Sequence, residues 1–294
     1  MRNISEHAQG RWRGILSNFG IDSRFLTGKH GPCPLCGGKD RWRWDNKDGR
    51  GSWFCTHDGA GDGFALLMKV KGWDFPEAAR QVETVIGKTR LEPAKTAQTE
   101  SQKRTAKNRL WKSSAAVTLA DPVGKYLSRR IGLTEFPKCI RFAPGPMMVA
   151  MMTDPTGKPS TLHRTYLTED GRKANLAAVR RMMPGTIAKG SAVRLAPYTG
   201  VLGIAEGIET ALSATALTGV PCWAALTEGL LASWQWPEDC DRIVIFGDND
   251  ENYVGQSAAY ALARRIGLGS KILVEVRIPE IAGCDWNDVL RLKA

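Results

Sequence analysis

The chain has 294 residues, a net charge of +11, and 43% hydrophobic and 24% charged residues. That composition supports a real core and excludes overall disorder, and the length suits two domains or one large domain with an appended module. No apolar run reaches the roughly 20 residues needed to cross a bilayer, and the N-terminal MRNISEHAQGRWRGIL has no apolar signal stretch, so a cytoplasmic rather than a secreted or membrane protein is expected.

Charge is distributed unevenly. Residues 1–112 hold 21 basic and 12 acidic residues, whereas residues 113–294 hold 20 and 18. The excess in the first third fits either a nucleic-acid-binding appendage or a solvated basic surface with a linker.

Residues 1–87 read as one unit. A helix is expected over 6–19, then a Cys-, Gly- and Trp-rich middle, then FALLMKV and the helical PEAARQVETVIG. In the middle, Cys33 and Cys36 form a Cys-x-x-Cys knuckle followed by two glycines, and Cys55 follows at the end of an apparent strand. Three thiolates and one more donor make a tetrahedral zinc site. His57, Asp58 and His30 are the candidates, and His57 is favoured because a neutral imidazole is the softer donor. The segment is too polar and Gly-rich to build a core without such a staple. Cys139, Cys222, Cys240 and Cys284 are isolated and read as plain thiols. Between the knuckles, Lys39, Arg41 and Arg43 alternate with Trp42 and Trp44 at strand spacing. The tryptophans are expected in the core and the basic residues on single-stranded nucleic acid.

Residues 88–108 lose apolar periodicity and read as a basic, polar, partly helical linker. Over 109–200, YLSRRIGL reads as a helix end, and MMVAMMTD, PTGKPS and TLHRTYLTEDG as a hairpin followed by a second turn. From residue 201, VLGIA, ETALSATALTG, VPCWAAL, RIVIFGD, AAYALARRIG and KILVEVRIP alternate strand with helix, which implies a mostly parallel α/β sheet. Glu206, Asp248, Asp250, Asp285 and Asp288 stand after strands of that sheet, where ligands gather. A Glu and a close Asp pair in one crevice can hold hard divalent cations.

The segment HGPCPLCGGKDRWRWDNKDGRGSWFCTHDGAGDGFALLM resembles the zinc ribbon of phage and plasmid primases. GIAEGIETALSA, IVIFGDND and CDWNDVL resemble the three acidic motifs of the Toprim catalytic domain, shared by bacterial-type primases, topoisomerases and some nucleases. YLSRRIGL and HRTYLTEDGRKA are similar to the segment preceding Toprim in these primases. The resemblance implies an α/β Toprim-type, mostly parallel sheet at 201–294, a mixed α+β subdomain at 109–200 and a small zinc ribbon at 1–87. It makes Glu206 the catalytic acid–base residue or metal ligand and Asp248 and Asp250 the Mg²⁺ or Mn²⁺ ligands, and it matches Asp285 to the third motif. That motif's second acid is replaced by Asn287, with Asp288 beside it. Cys33, Cys36 and Cys55 match zinc ligands, and Asp58 stands where a fourth cysteine is usual.

The reading is a stand-alone DNA primase of a mobile element, working on single-stranded DNA with ribonucleoside triphosphates. A Toprim nuclease and a non-catalytic single-stranded-DNA-binding replication protein are the alternatives. Arg129, Arg130, Arg164, Lys173, Lys189 and Arg194 are candidate contacts to triphosphate or template. No GxxxxGK[ST] sequence occurs, so a replicative helicase would be a separate partner.

Overall fold

The computed structural model describes residues 4–92, 99–176 and 178–293. Contacts divide the chain into two compact units, Met1–Gln98 and Thr99–Ala294.

In the first unit, the expected helix over 6–19 is two helices, α1 (Ile4–Ala8) and α2 (Trp12–Asn18). The break lies at Gly10, whose φ of 74° is left-handed and whose N–H donates to the Gly49 carbonyl at 2.7 Å. Three short strands, β1 (Trp42–Trp44), β2 (Trp53–Cys55) and β3 (Gly59–Gly61), pair antiparallel in that order. Two capped helices follow. Asp62 accepts from the Ala65 N–H at the start of α3 (Gly63–Lys71), and Asp74 accepts from the Glu77 N–H at the start of α4 (Phe75–Ile86).

This unit has a larger apolar core than its ribbon sequence promises. Trp42 and Trp53 stack with centroids 5.2 Å apart, and Trp12, Ile15, Leu16, Leu66, Leu67 and Val82 from the flanking helices bury against the ribbon. Trp42 and Trp44 are core, as expected.

The segment expected as a linker divides into three. Thr89 and Glu92 pack on the first unit, Arg11 reaching the Thr89 carbonyl and the Glu92 N–H reaching the Gly10 carbonyl. Residues 93–98 fall outside the described part. At Thr99 a capping box with Gln102 closes the first turn of α5 (Glu100–Ser113) and starts the second unit, so the last ten expected linker residues are helix and its cap.

The second unit contains two sheets. One is a five-stranded antiparallel meander in chain order: β4 (Ala115–Ala116), β5 (Ile140–Ala143), β6 (Met147–Thr153), β7 (Pro159–Tyr166) and β8 (Arg180–Met182). Helix α6 (Pro122–Ile131) precedes β5 and ends at Gly132. The other sheet comprises β9 (Val201–Ala205), β10 (Cys222–Ala224), β11 (Arg242–Phe246) and β12 (Leu273–Arg277). All its pairs are parallel and its order is β10-β9-β11-β12. Helices α7 (Ile208–Thr218), α8 (Glu228–Ala232), α9 (Val254–Gly269) and α10 (Trp286–Lys293) complete it.

The expected subdomains 109–200 and 201–294 share one core. Met148, Ala150 and Met152 on one face of β6 join Val244, Phe246 and Ala211. The opposite face, with Val149 and Leu162, is covered by Leu110 and Trp111 of α5. Asn287 ties the two parts further. It is fully buried, its amide N–H groups donate to the Arg130 carbonyl and the Ser213 hydroxyl at 3.0 Å each, and the Arg130 guanidinium donates back to its Oδ1. The third motif therefore places a structural bracket where a second acid was expected. Among the described residues no helix is long and apolar enough to cross a membrane.

Asn287→Ala should lower the stability of the second unit by about 1–3 kcal/mol, the cost of leaving buried polar partners unsatisfied. Urea denaturation checks this, and a change under about 0.5 kcal/mol, the range of an ordinary surface substitution, would remove the bracket role.

Candidate active site and metal centre

The ribbon's knuckles bring four donor atoms together. One atom each from Cys33, Cys36, Cys55 and Asp58 lie within 4.8 Å of one another. The Cys36 and Cys55 sulfurs are 3.8 Å apart, and Asp58 Oδ2 lies 3.1 Å from Cys33 Sγ and 3.2 Å from Cys55 Sγ. A tetrahedron with Zn–S of about 2.3 Å has an edge of about 3.8 Å, so the set fits zinc. Backbone N–H groups of Leu35 and His57 point at Cys33 Sγ and Cys55 Sγ, as thiolates require.

The expected fourth ligand, His57, is not in this set. Its side chain is 63% exposed and touches Asp58 Oδ1 through Nδ1 at 3.2 Å, while the Asp58 side chain is only 17% exposed. The turn after β2 sends residue 57 to solvent and residue 58 back to the sulfurs, three residues beyond Cys55 as in an ordinary knuckle. His57 becomes a partner of the ligand. His30 is not among the gathered donors.

The second site is acidic. Strands β9 and β11 are parallel neighbours with Ala205 opposite Phe246, so Glu206 and the Gly247–Asp248 step leave the sheet side by side. The Glu206 carbonyl accepts from the Leu226 N–H at 2.7 Å, and Leu226 takes a φ of 77°, a conformation costly for a side chain of its size. Asp250 accepts from the Gly255 N–H at 2.8 Å, the amide that opens α9. A Cβ on Gly255 would stand 2.9 Å from both the Asp248 carbonyl and Asp250 Oδ2, so only glycine lets this turn close. Asp285 and Asp288 exchange bonds at the head of α10: the Asp288 N–H donates to Asp285 Oδ1 at 2.8 Å and the Asp285 N–H to Asp288 Oδ2 at 3.3 Å.

The half-buried carboxylates disturb one another. Burial, followed by Asp285, Glu206 and Asp250, pushes Asp248 up to about 7. Glu206 is raised by burial and then by Glu228 and Asp250, and Asp285 by burial, with Asp288 adding and backbone N–H groups opposing. Asp248 Oδ1 is buried with no hydrogen-bond partner. An unpaired buried acceptor among like charges is the environment a divalent cation relieves. The zinc set alone, among the described residues, brings its donor atoms within 4.8 Å. The wider acidic corner suits an ion that keeps several of its waters, as Mg²⁺ does.

Three residues beside this corner, Glu209, Arg180 and Tyr126, escaped the sequence reading. Glu209, on the first turn of α7, is 3% exposed, and its Oε1 receives the Tyr126 hydroxyl at 2.5 Å, Arg180 Nη2 at 2.9 Å and Lys173 Nζ at 3.6 Å. Burial alone would raise Glu209, but Arg180, Lys173 and the Tyr126 hydroxyl hold it down to about 2.

Of the basic candidates, Lys173 alone is paired beside the corner. Arg129 donates to the Gly171 and Asp170 carbonyls, Arg164 to the Met182 carbonyl, and Arg194 to those of Asp154 and Pro155 while lying 4.7 Å over Trp223. Arg130 is held by Asn287. Lys189 is exposed. In the ribbon Lys39 and Arg41 are exposed, and Arg43 is half-buried and paired with Asp45 at 2.6 Å.

Residues 201–294 match the model of the Toprim domain, and residues 28–64 that of the zinc-binding domain of primase-helicase. The chain carries a primase-type zinc ribbon at its N-terminal end and a Toprim domain at its C-terminal end. Residues 101–195, between them, match a domain of unknown function (DUF7146). Among solved structures, the chain is similar to the Aquifex aeolicus primase zinc-binding and RNA polymerase domains at 14% identity, over 98% of this chain and 82% of that one, with a TM-score of 0.40. It is also similar to the primase fragment of the bacteriophage T7 primase-helicase, at 14% identity over 90% of this chain and 98% of that one, TM-score 0.40. These likenesses are distant, and the domain assignment rests on the family matches.

Asp58→Ala should lose stoichiometric zinc while His57→Ala keeps it, as metal analysis of the purified proteins would read. The reverse pattern would restore His57 as ligand. The acidic corner also sets a pH dependence. Asp248 holds its proton more tightly folded than unfolded, so its contribution to stability falls as pH rises from the ordinary carboxylate range through about 7. In magnesium-free buffer, Asp248→Asn should therefore gain stability relative to wild type between pH 5 and pH 8. Parallel melting curves would contradict the burial argument.

Proposed function

We propose that the protein is a DNA primase of a phage, plasmid or other mobile element, working in the cytoplasm. It makes short RNA primers on single-stranded DNA. The observation that carries this reading is the half-buried carboxylate corner of Glu206, Asp248 and Asp285 in a Toprim domain, on a chain that also has a primase-type zinc-binding domain.

Glu206, Asp248 and Asp250, with Asp285 beside them, would hold Mg²⁺ or Mn²⁺. When bound, such ions polarise the attacking hydroxyl and offset charge on the departing pyrophosphate. Glu206, whose proton affinity burial raises, takes the proton of the primer 3′-hydroxyl. That oxygen bonds to the α-phosphorus of the incoming ribonucleotide, the bond from α-phosphorus to the bridging oxygen breaks, and pyrophosphate leaves with the electron pair. Lys173 and the exposed Lys189 are the chain's candidates for triphosphate and template phosphates. Arg129, Arg130, Arg164 and Arg194 serve the scaffold, because carbonyls and Asn287 hold their guanidinium groups.

The zinc ribbon supplies a separate template contact. Its ligands fix the knuckles, its tryptophans fill the core, and the exposed Lys39 and Arg41, with the half-buried Arg43 beside Asp45, are its phosphate contacts.

Incubation with single-stranded DNA, labelled ribonucleoside triphosphates and Mg²⁺ tests the reading. Short RNA is expected, cleaved DNA would make the protein a nuclease, and neither product would make it a binding protein. Glu206→Gln should lower synthesis by about 10²–10⁴-fold, the usual contribution of a positioned acid–base group, while binding of single-stranded DNA stays near wild type. Unchanged synthesis would remove Glu206 from the chemistry.

A further inference from the structure

The domain of unknown function contributes three of the four residues that meet at Glu209. Tyr126, Lys173 and Arg180 come from residues 101–195, and Glu209 comes from the Toprim domain, three residues after Glu206. Their polar atoms converge on one carboxylate oxygen, Oε1. Tyr126 is buried, whereas the side chains of Lys173 and Arg180 are 33% and 45% exposed. Each cation therefore has one end anchored inside and a surface left to solvent. Besides its bond to Glu209, Arg180 lowers the proton affinity of Glu206 and Asp248, so its charge reaches the acidic corner.

We infer that Glu209 is a positioning residue, and that the domain of unknown function serves the Toprim domain by supplying a pair of cations, Lys173 and Arg180, which Glu209 sets beside the acidic corner to receive the polyphosphate of the substrate. The inference rests on the reading of that corner as a nucleotidyl-transfer site. Glu209 belongs to the same short motif as Glu206, which invites a metal-ligand role. Its surroundings oppose that role. Two cations and a hydroxyl already converge on Oε1, and a divalent ion there would face both positive charges at close range. The Arg180 fork offers donors in fixed geometry, which suits a phosphate oxygen once the guanidinium is held still. One carboxylate facing two cations also leaves positive charge for an anion.

Direct binding separates this inference from the wider reading. Inorganic tripolyphosphate and Mn²⁺ are titrated separately into wild type, Glu209→Gln, Arg180→Ala and the double variant of the full chain, each first checked for an intact thermal transition. Glu209→Gln should weaken tripolyphosphate binding by about tenfold, the loss expected for one charge-assisted contact, and change Mn²⁺ affinity by less than about twofold. Arg180→Ala should match it, and the double variant should be little worse than either single one, because both act on one contact. In primer synthesis the KM for nucleotide should rise more than kcat falls. If Glu209→Gln does not fold, Arg180→Ala and Lys173→Ala carry the same test from the cation side, each with weakened tripolyphosphate binding and unchanged Mn²⁺ affinity. A loss of Mn²⁺ binding in Glu209→Gln would make Glu209 a metal ligand and overturn the inference, as would unchanged polyphosphate binding in the variants or none in wild type. Polyphosphate binding that follows the expected pattern without RNA synthesis would overturn the primase reading and leave the inference standing.

Discussion

Carboxylates that repel one another must be held together at the C-terminal ends of the central strands of the parallel sheet, and much of the second unit is arranged to hold them. Glu206 and Asp248 are fixed by the register of β9 on β11, and Asp285 by the exchange of hydrogen bonds with Asp288 that opens α10. Burial, Asp285, Glu206 and Asp250 raise the proton affinity of Asp248, which also has an oxygen with no partner. Left alone this corner costs stability. The shared apolar core offsets the cost, with Phe246 and Val244 behind the acids and Met148, Ala150 and Met152 from the antiparallel sheet closing over them.

The opposite charges lie close by. Glu209 accepts Arg180 and Lys173 one helical turn from Glu206, and Arg130 is anchored by Asn287. The two halves of the unit thus exchange polar as well as apolar contacts. The first unit meets a different constraint in a similar way. Its short strands carry little apolar surface of their own, so Trp12, Trp42 and Trp53 join residues of α2, α3 and α4 in one core, and four donors draw the knuckles together at its side.

Much of this was legible because it follows from local pattern. Short apolar runs ending in Glu206 and Asp248 marked strands whose ends gather ligands, and alternation along residues 39–45 separated buried tryptophans from basic residues. What was not legible depends on single backbone angles or on pairs distant in sequence. Gly10 turned left-handed and split one helix into two. The turn after Cys55 chose Asp58 over His57, a decision between adjacent residues that ligand chemistry alone does not make. Asn287 looked like a lost acid until its amide proved to bind Arg130 and Ser213. Arg180 and Glu209 are 29 positions apart, and only the tertiary fold pairs them.

The acidic corner keeps a proton on Asp248 that a divalent ion would displace. Calorimetric titration of Mg²⁺ or Mn²⁺ in buffers of different ionisation enthalpy counts the protons released on binding. Because Asp248 is pushed up to about 7, close to one proton should leave near pH 6 and almost none above about pH 8.5, with Asp248→Asn abolishing the difference. Metal binding without proton release at pH 6, or no metal binding at any pH, would contradict the account.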